Sequence, residues 1–254
     1  MKKGFTLTEV LITLGIIGVV AAMTIPSLIN TYKTHVLKTQ FKHSVSNLAQ
    51  AIQFAKINSQ IDNFGKYCIS FNESNGGYYN TNECINALVN SYSKKDLKTD
   101  KIYRNDIKTY NNKATVYYID SMSLPVLYQA RMSDGTYLGW HIYNGMYMLS
   151  VDTNGSKGPN RLGHDIFTFQ INPENDVLAS YRIPLTQEMT EEQSKTYCDK
   201  ESGSYNTYEC EYALNNSCSL TSTAVGNGFD CSYYALKDIC PYTGKAGYFE
   251  CLPK

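Results

Sequence analysis

Neither sign of charge dominates this sequence: its 254 residues carry Lys+Arg 23 against Asp+Glu 23. Nothing in that balance calls for a polyanionic partner, so nucleic acid is not expected. Catalytic signatures are missing too. There is no G-x-S-x-G, H-E-x-x-H or Walker A stretch, and the four histidines, His35, His43, His141 and His164, are scattered along the chain. Cysteine is plentiful, but the C-x-x-C spacing of zinc and redox sites is absent. The eight cysteines leave no odd thiol to serve as a nucleophile. These absences argue against an enzyme and turn attention to the chain's architecture.

The chain opens Met1-Lys2-Lys3-Gly4 and then runs apolar from Phe5 to Ile25. At roughly 1.5 Å per helical residue, that run covers a hydrocarbon core of about 30 Å. Lys2 and Lys3 hold the start on the cytoplasmic side, so the long remainder is expected outside the cytoplasm. Irregularly spaced cysteines after such a segment fit disulfides in an oxidising compartment. An ordinary secretory signal ends at a small-residue cleavage site, whereas Pro26-Ser27 leads straight into helical periodicity; the apolar segment reads as retained.

Glu9 is the anomaly in that run. A carboxylate near the start of a spanning helix costs on the order of a few kcal/mol unless it is answered or hydrated. No Lys or Arg lies between Glu9 and Lys33, so no cation of the same helix is at hand. A partner from a neighbouring subunit is one reading, and hydration among lipid headgroups is the other.

Gly4-Phe5-Thr6-Leu7-Thr8-Glu9, followed by the apolar run, resembles the class III signal of type IV prepilins and secretion pseudopilins. The resemblance implies that a prepilin peptidase cuts between Gly4 and Phe5 and N-methylates Phe5, leaving residues 1–4 as the leader. It implies that Glu9 meets the N-terminal amine of an adjacent subunit during assembly. It places Gly18 and Pro26 where family members carry helix-weakening residues, so the stretch between them is expected to unwind in the filament. The implied partners are other pilin or pseudopilin subunits, the prepilin peptidase, an inner-membrane assembly platform and, before assembly, membrane lipid. The implied locations are the cytoplasmic membrane, as a single-pass protein, and then the filament. A long body with a cysteine-rich extension resembles a minor subunit more than a compact major one.

Beyond Pro26, Leu37, Phe41, Val45, Leu48, Ile52 and Ala55 recur every three or four residues and define one face of an amphipathic helix. One helix from about residue 5 to about residue 58 is therefore expected, apolar all round over 5–30 and amphipathic over 31–60. Residues 61–112, polar and turning at Gly76-Gly77, read as a connecting subdomain. Residues 113–185 read as an antiparallel sheet, with strands at 114–119, 126–132, 136–142, 146–152 and 165–171. Ser133-Asp134-Gly135 and Asn144-Gly145 have the chemistry of hairpin turns. Laying that sheet on the amphipathic half of the helix gives an α+β fold, the pilin-like arrangement the resemblance also implies.

The connection 152–165 gathers three glycines, a proline, two Asp and two Asn. Asp152, Asn154 and Asp165 are candidate ligands for a hard cation such as Ca²⁺, although the spacing is not that of an EF-hand. The competing reading is that these side chains cap turns through bonds to the backbone.

Residues 186–254 lose strand character and hold six cysteines. Tyr79-Asn80-Thr81-Asn82-Glu83-Cys84 returns as Tyr205-Asn206-Thr207-Tyr208-Glu209-Cys210, with a fainter copy at Asp230-Cys231-Ser232-Tyr233-Tyr234-Ala235-Leu236. Each acidic-Cys pair follows an earlier cysteine by roughly ten to fifteen residues, a loop whose closure contributes about 3 kcal/mol. Of roughly a hundred possible pairings, the local set is expected: Cys68–Cys84, Cys198–Cys210, Cys218–Cys231 and Cys240–Cys251. The many tail tyrosines suit packing around these staples, or a contact surface. The rival to a filament subunit is a membrane-tethered binding or adhesion protein that does not polymerise.

Overall fold

The computed structural model describes residues 6–68, 71–72, 77–78, 81–92, 102–103, 106–116, 127–128, 130–132, 134–143, 146–171, 178–180, 218–224 and 226–253. Its spine is α1, Leu7–Ser59, 53 residues long and so about 80 Å. The helix ends where Gln60 turns into the left-handed region at φ 53° and donates its N–H back to Ile57 and Lys56, with Lys56 in the last turn facing the negative end of the dipole.

The two halves of α1 differ in what covers them. Up to Ile29 its large apolar side chains lie at the surface, with Leu11 61% and Met23 74% exposed. From Phe41 onward Phe41, Ser44, Leu48, Ala51, Ile52 and Ala55 are buried, and Leu37 and Val45 pack against the same core. Phe41, Leu48, Ile52 and Ala55 of the expected face are buried, Leu37 and Val45 partly so, and Ser44 and Ala51 join them.

Short elements follow α1. They are α2 (Phe64–Cys68), β1 (Phe71–Asn72), β2 (Gly77–Tyr78), α3 (Thr81–Tyr92), β3 (Ile102–Tyr103) and β4 (Leu127–Tyr128). Among the described residues the main sheet has five antiparallel strands in sequence order: β5 (Ala130–Arg131), β6 (Tyr137–Tyr143), β7 (Met146–Asp152), β8 (Ile166–Ile171) and β9 (Leu178–Ser180). Register pairs Leu138 with Val151, Val151 with Phe167, and Leu149 with Phe169. Period-two alternation therefore puts Leu138, Leu149, Val151, Phe167 and Phe169 on one face, and all five are buried. Phe41 of α1 meets that face, its ring 4.5 Å from Phe167 and 6.2 Å from Phe169. The chain is thus α+β, a long helix laid on an antiparallel sheet.

Several expectations need correcting. Within 61–112 the helix α3, not singled out from sequence, buries Cys84, Leu88 and Val89 in the core that α1 shares. The expected strand at 114–119 is, among the described residues, a single bridge from Thr115 to Lys108. The expected strand 126–132 is two short ones, β4 pairing with β3 and β5 with β6. The strand β9 was not expected. Nor was α4, Cys231–Lys237, in the tail. The turn at Asn144-Gly145 and the repeat copy at 205–214 lie outside the described residues.

The tail closes over the base of the body. A 3-10 turn at Phe249–Cys251 puts the buried Phe249 ring 5.4 Å from Phe41 and 6.2 Å from Phe167. Lys38 of α1 reaches Asp238 at 3.0 Å and Glu250 at 3.1 Å. The bond to Asp238 holds the Lys38 ammonium above its ordinary range. Both carboxylates are well exposed, so each pair contributes about 0–1 kcal/mol and fixes orientation more than stability.

Candidate functional site

The N-terminus of α1 carries the chemistry singled out from sequence. Thr6, extended at φ −78° and ψ 150°, is the N-cap. Its hydroxyl oxygen accepts the Glu9 backbone N–H at 3.3 Å. In return the Glu9 carboxylate, through Oε2, accepts the Thr6 backbone N–H at 2.8 Å and the Thr6 hydroxyl at 2.7 Å. This is a reciprocal capping box, which answers two helix-end donors that would otherwise lie unbonded near lipid. Glu9 is thus answered within its own turn by Thr6, a neutral donor three residues upstream, a partner not expected from the sequence. The signal was in the sequence as the T-x-x-E spacing of Thr6-Leu7-Thr8-Glu9. Gly4 and Phe5 lie outside the described residues.

Further along, three threonines turn their hydroxyls inward on the helix. Thr13, Thr24 and Thr31 donate to the carbonyls of Val10, Val20 and Ser27 at 2.9, 2.9 and 3.1 Å. Each hydroxyl is thereby satisfied without leaving the helix, as a segment facing hydrocarbon requires. Pro26 sits inside the helix. Lacking an N–H, it leaves the carbonyl four residues back, that of Ala22, without its helical donor. Helix α1 is unbroken across Gly18 and Pro26, and a Cβ at Gly18 would meet nothing within 4 Å. Among the described residues α1 is the helix long and apolar enough to cross a membrane.

The connection between β7 and β8 is built from its own polar groups. Asp152 Oδ1 accepts the Asn154 N–H at 3.2 Å. Asp165 accepts the backbone N–H groups of Asn160 and Arg161, each at 2.8 Å, and the Asn154 amide at 3.3 Å. The amide of Asn154 presents its NH₂ to Asp165, so the three candidate cation ligands converge as donor and acceptor pairs, the geometry of turn capping. Among the described residues no group of three His, Cys, Asp or Glu side chains is placed to hold a metal ion. Gly163, at φ 73°, is required for two reasons: the left-handed backbone, and a Cβ there would lie 2.6 Å from the Cys231 sulfur.

Two ionisable groups sit beside each other at the end of this connection. Burial pushes the Asp165 carboxyl up to about 6 despite its three donors. Burial, followed by the nearby Arg161 charge, pushes His164 down to about 3, and its Nε2 lies 3.1 Å from the Tyr110 carbonyl. Arg161 Nη2 donates to that same carbonyl at 2.7 Å, and Nη1 reaches the Pro253 carbonyl at 3.4 Å. A connection, the 106–116 segment and the end of the tail are thereby tied at one point.

Among the described residues, disulfides join Cys68 to Cys84, Cys218 to Cys231 and Cys240 to Cys251, across 16, 13 and 11 residues. Cys198 and Cys210 lie outside the described residues. The described acidic-Cys pairs share a setting: Cys84 lies in α3, Cys231 starts α4 and Cys251 ends the last 3-10 turn. In each case a helical segment aims a sulfur at an upstream cysteine, Cys68 at the end of α2 and Cys218 and Cys240 in connections.

No curated protein and no solved structure matches the chain. Residues 1–25 match the family described as "Prokaryotic N-terminal methylation motif". That match and the long exposed apolar helix beginning at its capped end together make this N-terminal segment a class III, prepilin-type signal on a chain that is pilin-like or pseudopilin-like there.

Proposed function

We propose that the chain is an exported filament subunit, a minor one, of a type IV pilus or of a type II secretion or competence pseudopilus. In this reading residues 1–4 are the leader, removed by a prepilin peptidase that then methylates Phe5. Residues 5–30 hold the protein in the cytoplasmic membrane with its body outside, and afterwards form the filament core. The body comprises 31–60 of the same helix, the connecting part 61–112, the sheet region 113–185 and the cysteine-rich extension 186–254. Assembly brings the N-terminal amine of one subunit to Glu9 of the next, on an inner-membrane platform and beside other pilin or pseudopilin subunits. Gly18 and Pro26 let the helix between them loosen as it packs. Asp152, Asn154 and Asp165 act as turn caps, and the protein is structural, with no reaction of its own.

The observation that carries this reading is a helix apolar on every side, uncovered by its own body, with one carboxylate in its first turn. Such a surface is stable in lipid or against copies of itself, and both phases occur in a filament's life. The open space beside Gly18, where an added Cβ would meet nothing within 4 Å, also fits close approach by a neighbour.

The test is Glu9→Gln in the native host. Gln serves the capping box as Glu does, so the helix end keeps its bonds while the charge is gone. Membrane insertion and N-terminal processing should stay at the unmodified level. Recovery of the chain in sheared filaments should fall about tenfold or more, equivalent to about 1.4 kcal/mol of lost pairing. Recovery equal to that of the unmodified chain would favour the non-polymerising tether.

A further inference from the structure

We infer that Thr6 is a positioning residue for subunit docking: it holds the Glu9 carboxylate by one oxygen and leaves the other oxygen open to the incoming amine of the next subunit. The inference rests on the filament reading above and names a further residue that the docking step needs.

The geometry is asymmetric. Both Thr6 bonds, from the backbone N–H and from the hydroxyl, end on Oε2, at 2.8 and 2.7 Å. No bond reaches Oε1 among the described residues. A glutamate side chain has three rotatable bonds, and two bonds to one oxygen remove most of that freedom before a neighbour arrives. The remaining lone pairs then point away from the box, where a cation can add a charge-assisted bond without breaking either existing one. Docking becomes an addition to a preorganised group, which lowers its ordering cost. The same two donors also stabilise the carboxylate during the time the subunit waits in lipid with no partner, when an unanswered acid is most costly. Thr6 itself needs nothing from the neighbour: its hydroxyl donates to Glu9 Oε2 and accepts from the Glu9 N–H, so both its functions are internal to one turn. A serine keeps these bonds, whereas a valine of nearly the same shape loses both hydroxyl contacts.

The full-length chain is tested in membranes of its host, with a photoreactive residue at the exposed position 14 reporting helix-to-helix cross-links between copies. Thr6→Val, Thr6→Ser, Glu9→Gln and Thr6→Val with Glu9→Gln are compared, with expression set so that the Glu9→Gln signal remains quantifiable. Removal of residues 1–4 is followed by intact mass, so that a processing defect is separated from a docking defect. Thr6→Val should lower the cross-link yield roughly fivefold, the scale of a lost cap, and Thr6→Ser should restore it. In the Glu9→Gln background Thr6→Val should cause no further loss, since there is no charge left to position. If Thr6→Val lowers the yield by the same factor in both backgrounds, Thr6 only caps the helix and the inference fails. Full yield from Thr6→Val beside a poor yield from Glu9→Gln would overturn the inference alone. Full yield from Glu9→Gln would instead overturn the filament reading beneath it.

Discussion

His164 and Asp165, adjacent in the connection before β8, respond to acid in opposite directions. His164 stays neutral in the fold down to about 3, while in the unfolded chain it takes a proton near 6.5. Its contribution is therefore lost as pH falls below 6.5, at about 1.4 kcal/mol per pH unit. Asp165 takes its proton at about 6 in the fold but near 3.8 when unfolded. A raised folded value means that stability is gained as pH falls from 6 to 3.8, at the same rate of about 1.4 kcal/mol per unit. Between these limits the two contributions cancel. Asp165→Asn should remove the compensating one, so that stability falls by about 2 kcal/mol more than in the unmodified protein between pH 6 and 4.5. Denaturant unfolding of the full chain in detergent micelles at several pH values reads the slopes, and parallel slopes for the two proteins would refute the pairing. Asp165 is buried by its own fold and answered by backbone donors, whereas Glu9 is answered by one threonine in an otherwise uncovered helix.

The elements divide into those held by periodic burial and those held by covalent closure. The amphipathic half of α1 has a sequence pattern that matches its buried face, and β6, β7 and β8 are rich in β-branched and aromatic residues, which is why 31–60 and the strands at 136–142, 146–152 and 165–171 were legible from residues alone. Helix α3 was not. Its Asn-rich sequence offers Cys84, Leu88 and Val89 as the buried face, a stripe too narrow to read before its packing against α1 is seen. In α4 the same holds for Cys231 and Ala235, and β9 has three residues, too few for a period-two signal. At the candidate site Glu9 stood out because it broke the apolar run. Thr6 did not, because a neutral hydroxyl among threonines carries no such contrast. The last 3-10 turn depends on closure: Cys240–Cys251 holds Phe249 against Phe41. Replacing both cysteines by serine should cost about 3 kcal/mol, the scale expected for a loop of this length. Equilibrium unfolding checks it, and a cost below about 0.5 kcal/mol would mean that Phe249 and the Lys38 ion pairs hold the turn unaided.

As a whole the molecule is a rod of which the far half is gathered into a body and the near half is left bare. The body first grips α1 around Leu37, Lys38 and Phe41, so the apolar segment before it is free of its own fold. Among the described residues, the uncovered apolar surface lies at one end, within and just beyond the stretch 1–25 that matches the methylation motif. Disulfides and buried polar groups close the body on itself, so the proposed passage from membrane to filament calls for no rearrangement of the sheet. The most direct test of the account is mass spectrometry of the N-terminal peptide of the chain recovered from its host's membranes and sheared filaments. The account predicts a chain beginning at Phe5 and carrying one methyl group on its amine, in both fractions. A chain that still begins at Met1, or one found in membranes and never in filaments, would contradict it.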